Sequence, residues 1–311
     1  MAVSTVLLAT LPVFVLIVLG LVLARTGFVA TGFWAPAEKL TYYALFPPLI
    51  VVTLAEANLT LADVADAAIA LTVAILAMTV GLMATRTLVR EPVGVFASTV
   101  QGAVRMNTYI GLAIAAGLFG DAGVTAAAIA IAVIVPVVNV ISVLAHGTDV
   151  KPLALARQLA TNPLILACVI GLALNGSGMG LPPVIGPTLE ILGRGALTIG
   201  LLAVGAALDF GEVRQFAGRI AVTTLLKLAV LPLITAFLCL AVGLDGITAS
   251  VVVMYNGLPT ATSAYILARQ LGGHAPLMAG LTTVQTAVAA VTLPMLMIGL
   301  AHLFPVANAS P

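Results

Sequence analysis

Charged side chains are scarce in this sequence. They make up 7% of its 311 residues, whereas a soluble domain carries about 25%. Hydrophobic residues make up 62%. This composition excludes a large soluble domain and predicts a polytopic helical membrane protein embedded in the lipid bilayer. The net charge of +1 gives no reason to expect nucleic acid or an acidic partner.

Groups that carry enzyme chemistry are also missing. Cys168 and Cys239 both lie inside apolar runs, which is typical of small buried residues and predicts neither a disulfide nor a metal site. No cluster of histidine, cysteine and acidic residues has metal-ligand spacing, and no nucleophile stands beside a base. No glycine loop could cradle a phosphate, so ATP drive has no support. We therefore expect no cofactor, no metal and no catalytic residue.

The long apolar runs predict ten membrane spans, since a helix needs about 20 apolar residues to cross a bilayer. Residues 1–20 lack the basic start and the cleavage site of a signal peptide, so we expect them to belong to the first span. The predicted spans are residues 4–24, 36–56, 63–88, 93–118, 124–145, 161–176, 184–207, 218–242, 246–271 and 275–303.

The basic residues predict an orientation. Nine of the 12 lie in or beside the loops after the odd-numbered spans. The positive-inside rule places these loops in the cytoplasm, and we expect the protein in the cytoplasmic (inner) membrane. Both termini then lie outside. The nine are Arg25, Lys39, Arg86, Arg90, Lys151, Arg157, Arg214, Arg219 and Arg269.

The longest connection divides the chain into two halves of five spans. The first repeat is predicted at 1–145, a cytoplasmic connecting loop at 146–160 and the second repeat at 161–311. Because each half holds an odd number of spans, the second half enters the membrane upside down. This is the layout of an inverted-repeat transporter.

A helix break is predicted in the middle of span 9. Asn256 to Thr260 read Asn-Gly-Leu-Pro-Thr, and Pro259 can neither donate an amide hydrogen nor pack against the preceding turn. Open backbone at membrane depth survives only where it is buried in protein or lines a watery cavity. The break therefore marks a place where a small solute or ion could bind.

A matching break is predicted in span 4, where Arg105 and Asn107 interrupt an apolar segment that lacks proline. Interrupted segments at matching places in two halves indicate a transporter's binding site. The amino ends of the second half-helices, near Thr108–Gly111 and near Pro259–Thr262, carry partial positive charge and favour anions. Asn107 and Asn256 are the first candidates for solute contact, with capping of the backbone as the alternative. The others are Gln101, Thr108, Tyr109, Pro259, Thr260, Thr262, Ser263 and Gln285.

Three basic residues are predicted inside spans, where each charge costs about 3 kcal/mol. Arg194 has Glu190 four residues before it, so we expect a local ion pair. Arg105 and Lys227 have no acid nearby in the sequence. Each could balance an anionic substrate or bind backbone carbonyls freed by a broken helix.

The motif YNGLPTATSAYILARQLGG of span 9 resembles the auxin efflux carrier family, which includes plant auxin exporters and bacterial relatives assigned to malate or malonate transport. The Gln-Gly-Ala-x-Arg-x-Asn run from Gln101 to Asn107 and the Lys227–Pro232 segment are also similar to that family. The resemblance implies an all-α membrane protein of ten helices in two inverted five-helix repeats, with helices 4 and 9 crossing as broken helices.

The resemblance also implies a mechanism. Helices 1, 2, 6 and 7 would form a scaffold and a homodimer surface, and helices 3–5 and 8–10 would form a transport domain. A small organic anion would bind at the crossover and move by an elevator-like displacement. The long cytoplasmic loop of plant carriers is missing here, which favours small organic acids over auxin. Proton or sodium coupling, a sodium-coupled bile-acid-type carrier and a channel remain alternatives.

Overall fold

The computed structural model describes residues 2–57, 61–89, 91–147, 152–211 and 213–306, and these residues form helices and short connections without a strand. Six helical segments of the described chain are long and apolar enough to cross a membrane: Val3–Arg25, Val64–Thr85, Val93–Ala145, Ile185–Ala206, Ala217–Val242 and Ala275–Leu303. This confirms the expected all-α membrane protein. The count of ten spans and the inverted repeat stay predictions.

Helices of the first half follow the predicted apolar runs. The second predicted span is divided by a π-helical turn at Thr41–Leu45, which ends where Pro47 and Pro48 begin the next helix without amide hydrogens to donate. The helices are α1 (Val3–Arg25), α2 (Thr31–Leu40), α3 (Phe46–Ala55), α4 (Leu61–Thr85), α5 (Val93–Val104) and α6 (Thr108–Ala145).

Helix α6 contains a sharp bend. Gly120 has φ 56° and ψ −140°, a left-handed conformation that glycine adopts at little cost. The bend divides α6 into arms at 108–119 and 121–145, which correspond to the end of predicted span 4 and to span 5. The two arms are thus joined by a single glycine.

The second half repeats this pattern. A π-helical turn at Leu226–Val230 precedes Pro232, as in the first half. The helices are α7 (Pro152–Ala160), α8 (Pro163–Ser177), α9 (Ile185–Ala206), α10 (Ala217–Leu225), α11 (Leu231–Val242), α12 (Gly246–Asn256), α13 (Ser263–Leu271) and α14 (Ala275–Leu303).

Helix α7 lies within the segment that the sequence predicts as a loop. Its residues Pro-Leu-Ala-Leu-Ala-Arg-Gln-Leu-Ala are good helix formers, and proline is tolerated at a helix start. The predicted loop therefore contains a helix of nine residues. Two of the basic residues used for the orientation, Arg90 and Lys151, lie outside the described residues.

Close helix contacts hold the breaks in the interior. Helix α1 packs on α9, where a side chain at Gly205 would overlap the Ile17 carbonyl and one at Gly20 would overlap the Leu202 carbonyl. Helix α3 packs against α8 and α9. On the other side, α4 packs against α11 and α12. Helix α12 is buried from Ala249 to Asn256, so its broken end lies deep in protein.

Candidate functional site

The two helix breaks meet each other. Helix α5 ends at Val104, and the chain is not helical from Arg105 to Asn107. Helix α12 ends at Asn256, and α13 begins at Ser263. The backbone nitrogen of Asn107 donates a hydrogen bond to the Pro259 carbonyl, with 2.8 Å between nitrogen and oxygen. A backbone group freed by one break is therefore satisfied by the other break.

Asn107 also starts the helix that follows it. Its Oδ1 accepts hydrogen bonds from the backbone nitrogens of Tyr109, at 3.1 Å, and Ile110, at 3.3 Å. Asparagine is a preferred residue at this position because its side chain satisfies amides that have no partner within the helix. Its Nδ2 is buried and bonds to no residue in the described part of the chain. Asn107 thus has one capping atom and one buried donor atom without a partner in the described part of the chain.

Gln285 on α14 joins the two breaks from another side. Its Oε1 accepts from the Thr260 nitrogen at 2.8 Å, and its Nε2 donates to the Gly102 carbonyl at 3.0 Å. Gln285 and Thr260 are fully buried. Open backbone in a membrane needs such partners. Gln285 therefore forms hydrogen bonds that connect the two breaks.

We expect Gln285→Leu to lower the stability of the folded protein by about 1–4 kcal/mol, because two buried backbone groups lose their partners and each such bond contributes about 0.6–2 kcal/mol in membranes. Thermal unfolding in detergent measures the loss. Gln101→Leu is the matched control: Gln101 is equally buried, but its amide bonds to no described residue. Equal melting temperatures for Gln285→Leu and the wild type would contradict the bridging role.

A cavity of about 510 Å³ lies beside the crossing. It is bordered by the first residues of α6 and by the residues at the start of α13, so both half-helix amino ends face it, as the sequence predicts. Of the predicted site residues, it is lined by Arg105, Asn107, Thr108, Tyr109, Thr262 and Ser263.

Arg105 brings a positive charge to this cavity without an acidic partner. One guanidinium nitrogen donates to Asn139 Oδ1 at 2.9 Å and to Ser142 Oγ at 3.4 Å, both on the second arm of α6. No carboxylate among the described residues forms an ion pair with it. A half-buried cation held by neutral groups is costly unless an anion joins it. Arg105 therefore makes the cavity attractive to anions.

Other predicted candidates do not line this cavity. Asn256 is fully buried and its Nδ2 donates to Thr235 Oγ1 on α11 at 2.8 Å. Lys227 is fully buried in the second π-helical turn, and its Nζ bonds to no described residue. Arg194 and Glu190 form the expected ion pair at 3.5 Å, on an exposed helix face. The remaining candidates away from the cavity lining are Gln101, Pro259, Thr260 and Gln285.

Sequence reasoning missed several polar residues of the cavity, among them Asn139, Asn162 and Glu38. Asn139 lies inside an apolar run. Because a polar side chain is costly at membrane depth, its position there was a sequence signal for a functional residue. Asn162 caps α8 and donates from Nδ2 to the Tyr42 hydroxyl at 3.1 Å. Glu38 accepts a hydrogen bond from Thr262 Oγ1 at 2.7 Å. The described residues hold no group of three or more His, Cys, Asp or Glu side chains that could bind a metal ion.

A family model described as "Membrane transport protein" matches residues 151–297. Residues 151–297, just under half of the chain, are thus similar to this membrane transport family. The match contains the break of α12 and α13, Lys227 and Gln285, and it confirms the family resemblance predicted from the motifs. No curated protein matches the chain. Together with the apolar helices, this match indicates a multi-pass membrane protein whose second half resembles membrane transporters.

Proposed function

We propose that this chain is a secondary active transporter of small organic anions, which bind in the cavity at the helix crossing. The observation that carries the proposal is Arg105, a cation without an acidic partner among the described residues, at the place where two broken helices bond to each other. The family gives membrane transport. The charge and its position support organic anions as the class of solute.

Several properties of the cavity support a carboxylate as ligand. Its volume of about 510 Å³ lies within the range of about 300–1,000 Å³ typical of small-molecule sites. Arg105 can present two parallel donors to a carboxylate, and the free Nδ2 of Asn107 adds a third. The amino end of α6 adds partial positive charge. Monocarboxylates, dicarboxylates and auxin-like acids all belong to this class.

The proposed movement is an elevator-type displacement in the cytoplasmic membrane, with both termini outside. Helices α1, α2, α3, α8 and α9 would form the scaffold and pair two copies; α1, α2 and α3 each pack against α9, and α8 packs against α3. Helices α4, α5, α6 and α10 to α14 would carry the crossing and its ligand. The hydrogen bonds between the breaks support this division because they tie α5, α6, α12 and α14 into one body.

Counterflow in proteoliposomes tests the proposed function. Vesicles loaded with unlabelled malate, malonate, succinate or indole-3-acetate are given the same labelled acid outside, with and without pH and sodium gradients. We expect saturable entry of the label driven by the internal acid, and none in vesicles without protein. Sodium-stimulated entry would favour the bile-acid-type alternative. Net flux without exchange would favour a channel, and no exchange of any acid would overturn the assignment to organic anions.

A further inference from the structure

Glu38 places a carboxylate at the end of a broken helix. It lies on α2, is half-buried, and accepts a hydrogen bond from Thr262 Oγ1 with 2.7 Å between the oxygens. Thr262 is the residue immediately before α13. The carboxylate of Glu38 therefore lies at the amino end of α13, where partial positive charge favours an anion.

The contact separates two cavities. Glu38 and Thr262 line both the 510 Å³ cavity at the crossing and a second cavity of about 820 Å³. The second cavity also contains Arg25 and Asp209. Glu38 forms no ion pair with any residue that the structure describes. Its charge is thus free to act on a ligand in the first cavity.

The charges that face the crossing cavity leave a small positive excess. Arg105 and Lys39 are cationic, and Glu38 is anionic. Arg105 is half-buried, whereas Lys39 is exposed and better screened by water. The other titratable groups that line the cavity are the phenols of Tyr42, Tyr43 and Tyr109. The net balance suits one negative charge on the ligand.

The two half-helix ends therefore differ in what they offer a ligand. The end at α6 has Arg105 beside it and the free Nδ2 of Asn107. The end at α13 already holds the protein's own carboxylate. A second carboxylate on a ligand would be repelled by the negative charge of Glu38. In a partly dehydrated site this repulsion is strong and disfavours ligands with two carboxylates.

We propose that Glu38 occupies the second of two carboxylate positions and makes the site selective for organic monoanions over dianions. This proposal rests on the proposed function, because it assigns the charge of the ligand at the same site. Glu38 is a specificity-determining residue. Removing its charge opens the α13 end to the second carboxylate of a diacid.

Succinate and its monomethyl ester are suitable probes because they differ by one negative charge and little in size. Each is tested at pH 7.5 as a competitor of whichever labelled acid the wild-type protein exchanges. In the wild type we expect the ester to inhibit at a concentration about tenfold or more below that of succinate. In Glu38→Gln we expect the ratio of the inhibitory concentration of succinate to that of the ester to fall to about one or below, because the repelling charge is lost.

Two further variants separate charge from structure. Glu38→Asp keeps the charge and should keep the preference for the ester. Glu56→Gln removes a carboxylate from the exposed end of α3, away from both cavities, and should leave the ratio of the two inhibitory concentrations unchanged. Since both competitors are measured on one protein, a general loss of activity cannot change their ratio.

The outcomes also separate this proposal from the proposed function. Absence of exchange by the wild type would overturn the assignment to organic anions itself. Exchange by a wild type that prefers succinate would overturn only the role of Glu38. So would an unchanged ratio of inhibitory concentrations in Glu38→Gln.

Discussion

Asn107→Asp is expected to abolish anion exchange while the protein still folds. Aspartate caps a helix as well as asparagine does, so the amides of Tyr109 and Ile110 keep an acceptor. The backbone bond to Pro259 does not involve the side chain. The new charge, however, would lie about 4–5 Å from a bound carboxylate, a repulsion of roughly 3–4 kcal/mol at an effective dielectric constant near 20. Exchange should therefore fall by roughly 100-fold or more.

Counterflow with purified Asn107→Asp measures this loss, and thermal unfolding in detergent checks that the variant is folded. Asn107→Ser is the matched control because serine also caps helices but adds no charge. It should keep a substantial part of the exchange. Wild-type exchange rates in Asn107→Asp would exclude an anion at the α6 end and would remove Asn107 from the site.

Arg105→Gln is expected to weaken anion binding, with the Michaelis constant for exchange rising by about 10- to 100-fold. Hydrogen bonds to charged groups contribute about 1.5–3 kcal/mol each, and glutamine keeps donors but loses the charge. Arg105→Lys should recover part of the affinity because the charge remains while the planar pair of donors is lost. Concentration dependence of counterflow in the three proteins measures the series.

A substitution of Asn139, the hydrogen-bond partner of Arg105, tests the role of the Arg105 charge independently. Asn139→Asp would place a carboxylate within hydrogen-bonding distance of Arg105 and neutralise it, since Asn139 Oδ1 already lies 2.9 Å away. We expect a similar loss of affinity. Arg194→Gln is the control, because that arginine belongs to an exposed ion pair of small energetic value. Normal transport by both Arg105→Gln and Asn139→Asp would show that the anion is held elsewhere.

The sequence predicted the breaks because their causes are local. Pro259 removes an amide hydrogen, and Asn107 caps a helix start, so each break follows from chemistry within a few residues. The second half-helices begin at Thr108, inside the first predicted range, and at Ser263, one residue beyond the second. The sequence does not predict the two π-helical turns, because they depend on how the surrounding helices pack.

The partners of the breaks could not be predicted, since they come from distant parts of the chain. Glu38 stands beside Lys39 at the edge of an apolar run, where a pair of opposite charges is usually solvated. Only the fold brings its carboxylate to Thr262. The bonds of Gln285 could not be predicted for the same reason: they reach Gly102 and Thr260, which no local pattern connects.

The bond between Asn107 and Pro259 also has a consequence for synthesis of the chain. Ribosomes add about 5–20 residues per second, so roughly 8–30 seconds separate the two residues. During that interval the first break has no partner from the second half. Its amide has to bond to water or to its own helix, and the crossing forms only after the late segment has been inserted. The helices of the second half thus complete the crossing, which the helices of the first half cannot form alone.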